Sequence, residues 1–176
     1  MVIKKISETL IYDGWLKIKK KVFNTGVVRE IVVGKEATAI AIYNKIGMIL
    51  VKQYRASIEK YTWEIPAGVM DVEGEDPIET VIREAKEETG LELNKDSISK
   101  LMSYYPAIGH AEGLLHLFSA KIEDGYPTLP EINDEDVIET EFFKYHEIQR
   151  MINEGKIIDG KTILIFYRIM SFITQL

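Results

Sequence analysis

Residues 68–91, Gly68-Val69-Met70-Asp71-Val72-Glu73-Gly74-Glu75-Asp76-Pro77-Ile78-Glu79-Thr80-Val81-Ile82-Arg83-Glu84-Ala85-Lys86-Glu87-Glu88-Thr89-Gly90-Leu91, hold the strongest local signal in the chain. Asp76 suits a helix N-cap, Pro77 fits the first helical position, and Glu79 stands at N3, a capping-box-like start. Gly90 offers the left-handed residue that ends a helix. The spacing predicts a helix over Pro77–Thr89. At about 100° per residue, Ile78, Val81, Ile82 and Ala85 share one apolar stripe. Glu84, Glu87 and Glu88 share another sector, an arc of roughly 100°. Like charges on one sector repel, and in the last turn they oppose the helix dipole. A divalent cation between Glu84 and Glu88 relieves that repulsion. A solvated acidic face built from a good helix former also accounts for it, and the helix alone leaves both readings open.

Upstream the pattern is that of strands. Trp15–Phe23 alternates apolar and basic residues, Asn24-Thr25-Gly26 turns the chain, and Val27–Val33 returns as a hairpin. Lys17, Lys19, Lys20 and Lys21 read as a solvated face or a protected edge rather than an anion strip. Ala37–Tyr43 and Met48–Tyr54 form a second, more apolar hairpin across Asn44–Gly47. Pro66–Gly74 is rich in turn residues. Downstream, Lys100–Tyr105, Leu114–Ala120 and Val137–Phe143 are strand-like, with an acidic loop around Glu131–Asp136. Tyr145–Glu154 and Lys161–Phe172 are helical, separated by Asp159 and Gly160. Strands and helices mix without regular βαβ alternation. This predicts an α/β chain of the mixed α+β kind rather than a doubly wound parallel fold.

A length of 176 residues suits one domain, or one with a small appendage. A net charge of −6 argues against a protein that neutralises nucleic-acid phosphates. No apolar run reaches signal-peptide or membrane-spanning length, so neither nucleic acid nor membrane is an expected partner. The absence of cysteine removes disulfides, thiolate metal sites and thiol nucleophiles, and gives weak support to a cytoplasmic location. Carboxylate is abundant, with 28 Asp and Glu residues, so any bound metal is expected to be hard and oxygen-ligated, Mg²⁺ or Mn²⁺.

The run from Gly68 to Leu91 resembles the signature of the Nudix hydrolases, G-x5-E-x7-R-E-U-x-E-E-x-G-U, with U a bulky aliphatic. Glu75 to Leu91 matches in register. Gly68 lies one residue too far from Glu75, and Ala85 stands in place of a bulky aliphatic. The resemblance extends along the chain to the ADP-ribose pyrophosphatase branch. It covers Val28-Arg29-Glu30, Leu50–Arg55, Trp63–Gly68, a marker proline at Pro106 and the ending Ile152–Thr162. It implies a Nudix α/β/α sandwich with a mixed sheet over residues 36–176. An N-terminal antiparallel β-region, residues 1–35, would supply the contacts of a homodimer.

The resemblance also implies the chemistry: divalent-metal-dependent hydrolysis of a nucleoside diphosphate derivative, ADP-ribose giving AMP and ribose 5-phosphate. Glu84 and Glu88 are the implied metal ligands, with Glu87 assisting and the Ala67 carbonyl completing the set. Glu88 and Glu87 thereby count as catalytic. Arg83 is implied as an orienting partner of a box glutamate, with an ordinary i, i+4 pairing to Glu79 or Glu87 as the equal alternative. Arg55 is expected to aim its donors at the diphosphate or the terminal ribose, with a surface salt bridge as the alternative. Trp15 stands where related enzymes place an aromatic over adenine, with packing as the equal alternative. Arg29 is a candidate for substrate binding across the dimer, and Gly109 a substrate contact in the loop after Pro106. That loop supplies the general base in the family. Gly113 occupies the expected position of the glutamate, so the base falls to Glu112, with His110 as its rival. His116 reads as packed. Other nucleotide sugars such as GDP-mannose are alternative substrates, and a non-hydrolysing ADP-ribose-binding module is the alternative of a different class.

Overall fold

Pairing of apolar faces organises the chain into two antiparallel or mixed sheets and three helices. The structure is a computed structural model and describes residues 1–132 and 136–173, so residues 133–135 of the acidic loop lie outside the described residues. Strands β1 (Lys5–Asp13), β2 (Lys17–Phe23) and β3 (Val28–Val33) form an antiparallel three-stranded sheet. Gly26, at a φ of 79°, makes the β2–β3 turn. Trp15 and Leu16 precede β2 rather than opening it. β1 is absent from the sequence reading because register shifts at Lys5/Ser7 and Leu10/Tyr12 break its two-residue period.

The second sheet holds β4 (Ala37–Tyr43), β5 (Gly47–Arg55), β8 (Ile98–Tyr104), β9 (Leu115–Lys121) and β10 (Val137–Lys144), in the order β10-β5-β4-β9-β8. Two short strands complete it: β6 (Lys60–Glu64) on β5 and β7 (Ala67–Val69) on β4. β4 and β9 run parallel, and every other pair is antiparallel, so the sheet is mixed. β7 lies inside the stretch read as turn-rich. Three residues after a proline are too few to show a period.

Alternation along β4 divides the core. Ile40 and Ile42 face α1 (Pro77–Thr89), packing with Val81 and Ala85. Ala39 and Ala41 face α2 (Tyr145–Asn153) and α3 (Gly160–Ile173), packing with Ile148, Ile165 and Phe166. The result is the expected α/β/α sandwich. α1 keeps its predicted bounds. Asp76 accepts from the Ile78 N–H at 2.9 Å, and Gly90 caps the other end at a φ of 71°. Glu79 does not serve the cap; its carboxylate takes Lys95. Among the described residues no helix is long and apolar enough to cross a membrane.

Candidate active site

α1 and β7 meet at the centre of the site. Glu88 is 3% exposed, and its Oε2 accepts from the Ala67 N–H at 2.9 Å. One turn earlier, Glu84 lies under Gly68. A Cβ built on Gly68 would stand 1.8 Å from the Glu84 carboxyl carbon, so glycine lets this strand cross the carboxylate without displacing it. Burial pushes the Glu84 carboxyl up, and the Arg83 guanidinium opposes that shift. The helix therefore presents two carboxylates to the backbone of β7. Gly68→Ala is expected to drive Glu84 out of position and lower kcat about a hundredfold, the scale of a small misplacement in an active site. Kinetics beside a thermal melt check this: an active variant with an unchanged melt would remove the cradle from the argument.

Arg83 gathers the acidic groups. Its Nη1 lies 2.7 Å from Glu84 and 3.2 Å from Glu87, while Nη2 lies 3.4 Å from Asp71 and 3.5 Å from Glu75. A guanidinium spreads its charge over several donors, which suits an orienting centre among four carboxylates. Among the described residues no three acidic or histidine side chains converge as a metal-binding group, since Glu84 and Glu87 turn to Arg83. The donor set still fits a hard divalent ion. It is all oxygen, it includes two carboxylates one turn apart, and Glu84 packs against Gly68.

A second ionic group adjoins it. Arg55, the last residue of β5, grips Glu64 with two bonds, Nε to Oε1 at 2.7 Å and Nη2 to Oε2 at 2.6 Å. Lys161 from the start of α3 reaches the same Glu64 oxygen and lies 3.1 Å from Asp159. Asp159 also caps α3, accepting from the Thr162 N–H at 2.9 Å and from its hydroxyl at 2.6 Å. Thr162 in turn accepts from the Ile65 N–H at 2.9 Å, which fixes the strand end beside Pro66 and Ala67. Burial alone would raise the Glu64 carboxyl, but Arg55 and Lys161 outweigh it and hold it low. Arg55 thus does not extend freely towards a ligand: two of its nitrogens are committed to Glu64. The sequence reading assigns Glu64, Asp159 and Lys161 no site role. Their signal was a charged residue inside Trp63–Gly68 and two more in the quoted ending.

The remaining candidates lie apart. Trp15 is 96% exposed and is therefore not core. It lines a cavity of about 400 Å³ with Val33, Lys35, Val69 and Asp71, between the N-terminal sheet and the box loop. Glu112 turns to β2, where Lys21 donates to it at 2.7 Å. That bond holds the Glu112 carboxyl below its ordinary value. Lys19 and Lys21 are thus paired and not merely solvated. Gly113 lies against Gly34 and the Lys35 carbonyl, where a Cβ would meet the Lys35 oxygen at 3.0 Å. A side chain there would need the Gly34–Lys35 backbone to give by a few tenths of an ångström. Gly109 and His110 are exposed in the same loop, and Arg29 is exposed on β3, bonded to the Val28 carbonyl at 2.9 Å. His116 is packed as expected, between Ser103 at 2.8 Å and Glu36 at 2.9 Å. A cavity of about 740 Å³ lies between Leu91 and Thr128 and contains no box glutamate.

Two carboxylates on a helix under a glycine strand thus lie beside an arginine forked onto Glu64. The NUDIX domain family matches residues 34–163, and the chain belongs to that family, whose members generally use divalent metals. It is 35% identical over 137 residues to a methanol dehydrogenase activator of Bacillus methanolicus, covering 77% of this chain and 72% of that protein. An ADP-ribose pyrophosphatase of Bacillus subtilis is 30% identical over 135 residues, 76% and 71% of the two chains. A GDP-mannose pyrophosphatase of Yersinia enterocolitica is 30% identical over 180 residues, 93% and 92% of the two chains. The crystal structure of an ADP compounds hydrolase superposes with a TM-score of 0.79 at 16% identity, covering 99% of this chain and 96% of that one.

Proposed function

We propose that this protein is a Nudix pyrophosphohydrolase that converts ADP-ribose to AMP and ribose 5-phosphate, with Mg²⁺ or Mn²⁺. The observation that carries the reading is the Glu84–Glu88 pair beneath Ala67 and Gly68, in a chain related to an ADP-ribose pyrophosphatase. Glu84 and Glu88 would hold the metal, with Glu87 and the Ala67 carbonyl completing the set. When bound, the ion supplies charge neutralisation of the diphosphate and activation of water. Arg83 keeps the box carboxylates aligned. The uncommitted edge of the Arg55 guanidinium binds a phosphate oxygen. Glu112 is ionised at neutral pH and takes the proton of the attacking water, with His110 as the alternative.

Trp15 stacks on the nucleobase, and Arg29 and Gly109 add substrate contacts. Trp15→Ala should raise KM for ADP-ribose about tenfold, the range of one base–aromatic stack, with kcat nearly unchanged. No KM change would return Trp15 to packing. A homodimer through residues 1–35 accords with β1, exposed along its whole length with Ile6, Leu10, Ile11 and Tyr12 outward. A cytoplasmic location accords with the lack of cysteine.

A second reading, GDP-mannose hydrolysis, is favoured by the more complete overlap with the Yersinia relative. Product analysis with Mg²⁺ on ADP-ribose, GDP-mannose, a diadenosine polyphosphate and 8-oxo-dGTP decides. Preferential AMP from ADP-ribose supports the first reading. GMP and mannose 1-phosphate support the second. Tight ADP-ribose binding without product supports a non-hydrolysing module.

A further inference from the structure

The loop between β8 and β9 is tied to the N-terminal sheet by three kinds of contact. Ala111 forms a parallel bridge with Val32 of β3. The Val32 N–H donates to the His110 carbonyl at 2.8 Å, and the Glu112 N–H donates to the Val32 carbonyl at 3.1 Å. Gly113 then meets Gly34 backbone to backbone, where a Cβ on Gly34 would stand 2.7 Å from the Gly113 Cα. The third contact is ionic. Lys21 lies 2.7 Å from Glu112, and Lys19 lies 3.7 Å from its other oxygen. Lys19 and Lys21 are two residues apart on β2 and so share one face. Glu8 of β1 steadies both, at 3.2 and 4.0 Å.

Backbone bonds and a glycine contact hold the loop at two points, Val32 and Gly34. The ion pairs to Lys21 and Lys19 add to that hold and aim the Glu112 carboxylate at β2. We propose that Lys21, seconded by Lys19, is a positioning residue. Acting through Glu112, it fastens the loop at residues 110–112 to β3, where Ala111 bridges Val32. The loop and the Trp15 cavity then share one support. Gly34 and Lys35 line that cavity, and they also line a smaller one of about 230 Å³ beneath Pro106 and Ala107. A group seated against Trp15 and the carboxylate of Glu112 are therefore placed by the same sheet.

The docking stands on geometry alone, while its effect on turnover rests on the hydrolase reading above. Amide hydrogen exchange on the full chain tests the docking. In the Lys19→Met/Lys21→Met variant, the peptide over 107–113 should exchange about threefold faster or more, the range of a partly exposed ion-pair cluster. Peptides over α1 should keep their rates, which excludes general unfolding. Lys21→Glu should loosen the loop as well, and adding Glu112→Lys should restore slow exchange. Added salt on the unmodified chain should act in the same direction. Unchanged loop exchange in Lys21→Glu and in the double variant overturns the proposal. For turnover, Lys21→Met should lower kcat about threefold with KM within about twofold, and Lys21→Arg should recover it. An unmoved kcat with a loosened loop overturns the positioning role. If the unmodified chain turns over no substrate, the hydrolase reading fails and the exchange result alone decides the docking.

Discussion

Glu88→Gln is expected to abolish most turnover while leaving the fold in place. Glutamine keeps an oxygen for the Ala67 N–H, now 2.9 Å from Glu88, and the bond from the Thr140 hydroxyl to the Glu88 carbonyl does not involve the side chain. What is lost is the negative charge. A neutral amide is a poor ligand for a hard divalent ion, and the charge it fails to neutralise belongs to the substrate's diphosphate. Loss of a metal ligand's share of transition-state stabilisation, several kcal/mol, corresponds to about a hundredfold to a thousandfold in kcat. Initial rates at saturating Mg²⁺, beside a thermal melt, give the result directly. Wild-type rates in a folded Glu88→Gln protein would remove Glu88 from the metal site and reopen the reading of this sector as a merely acidic face.

The second large effect concerns stability. Glu64 is 2% exposed and lies between Arg55 and Lys161. Glu64→Gln leaves two cations facing an uncharged amide in a poorly hydrated place. Removing one partner of a buried ion pair is strongly destabilising. Here Arg55 is partly exposed and Lys161 retains Asp159, so the expected loss is reduced to about 2–3 kcal/mol. For a chain of this size that lowers Tm by about 5–10 °C.

The dependence on pH has a definite sign. The Glu64 carboxyl is held below its ordinary value in the folded state, so its stabilisation is present above the unfolded carboxylate pKa and fades as pH falls through the folded one. The Tm gap between the wild-type and Glu64→Gln proteins should therefore be widest near neutrality. It should narrow below about pH 4. A gap that stays constant into acid would show that Glu64 does not act through its charge. Activity should fall in the same variant, since Arg55 loses the fork that orients it.

Elements whose local signals agree were legible from sequence. α1 has a cap, a proline, an apolar stripe and a terminal glycine, each stating the same boundaries, and Pro77–Thr89 is the observed helix. β4 is a continuous apolar run bounded by turns, and Ala37–Tyr43 is the observed strand. β1 and β7 were not legible. A bulged strand has no clean period, and a three-residue strand has no period at all. Both exist because a neighbour pairs with them, and pairing is not written in either segment alone.

The same division runs through the site. The order of residues around Glu84 and Glu88 placed them one turn apart on one helix, because helical geometry is local. The chain alone thus determined the box helix, its carboxylate sector and the family to which it belongs. Tertiary structure decided which groups those carboxylates and arginines meet. Gly68 crosses Glu84 through pairing of β7 with β4. Arg55 is bound to Glu64, and Lys161 comes to it from 97 residues away. Glu112 meets Lys21 across 91 residues, while Gly34 and the Lys35 carbonyl crowd the neighbouring position. Contacts over such separations depend on sheet register and on which elements share a face, and local propensity carries no information about either.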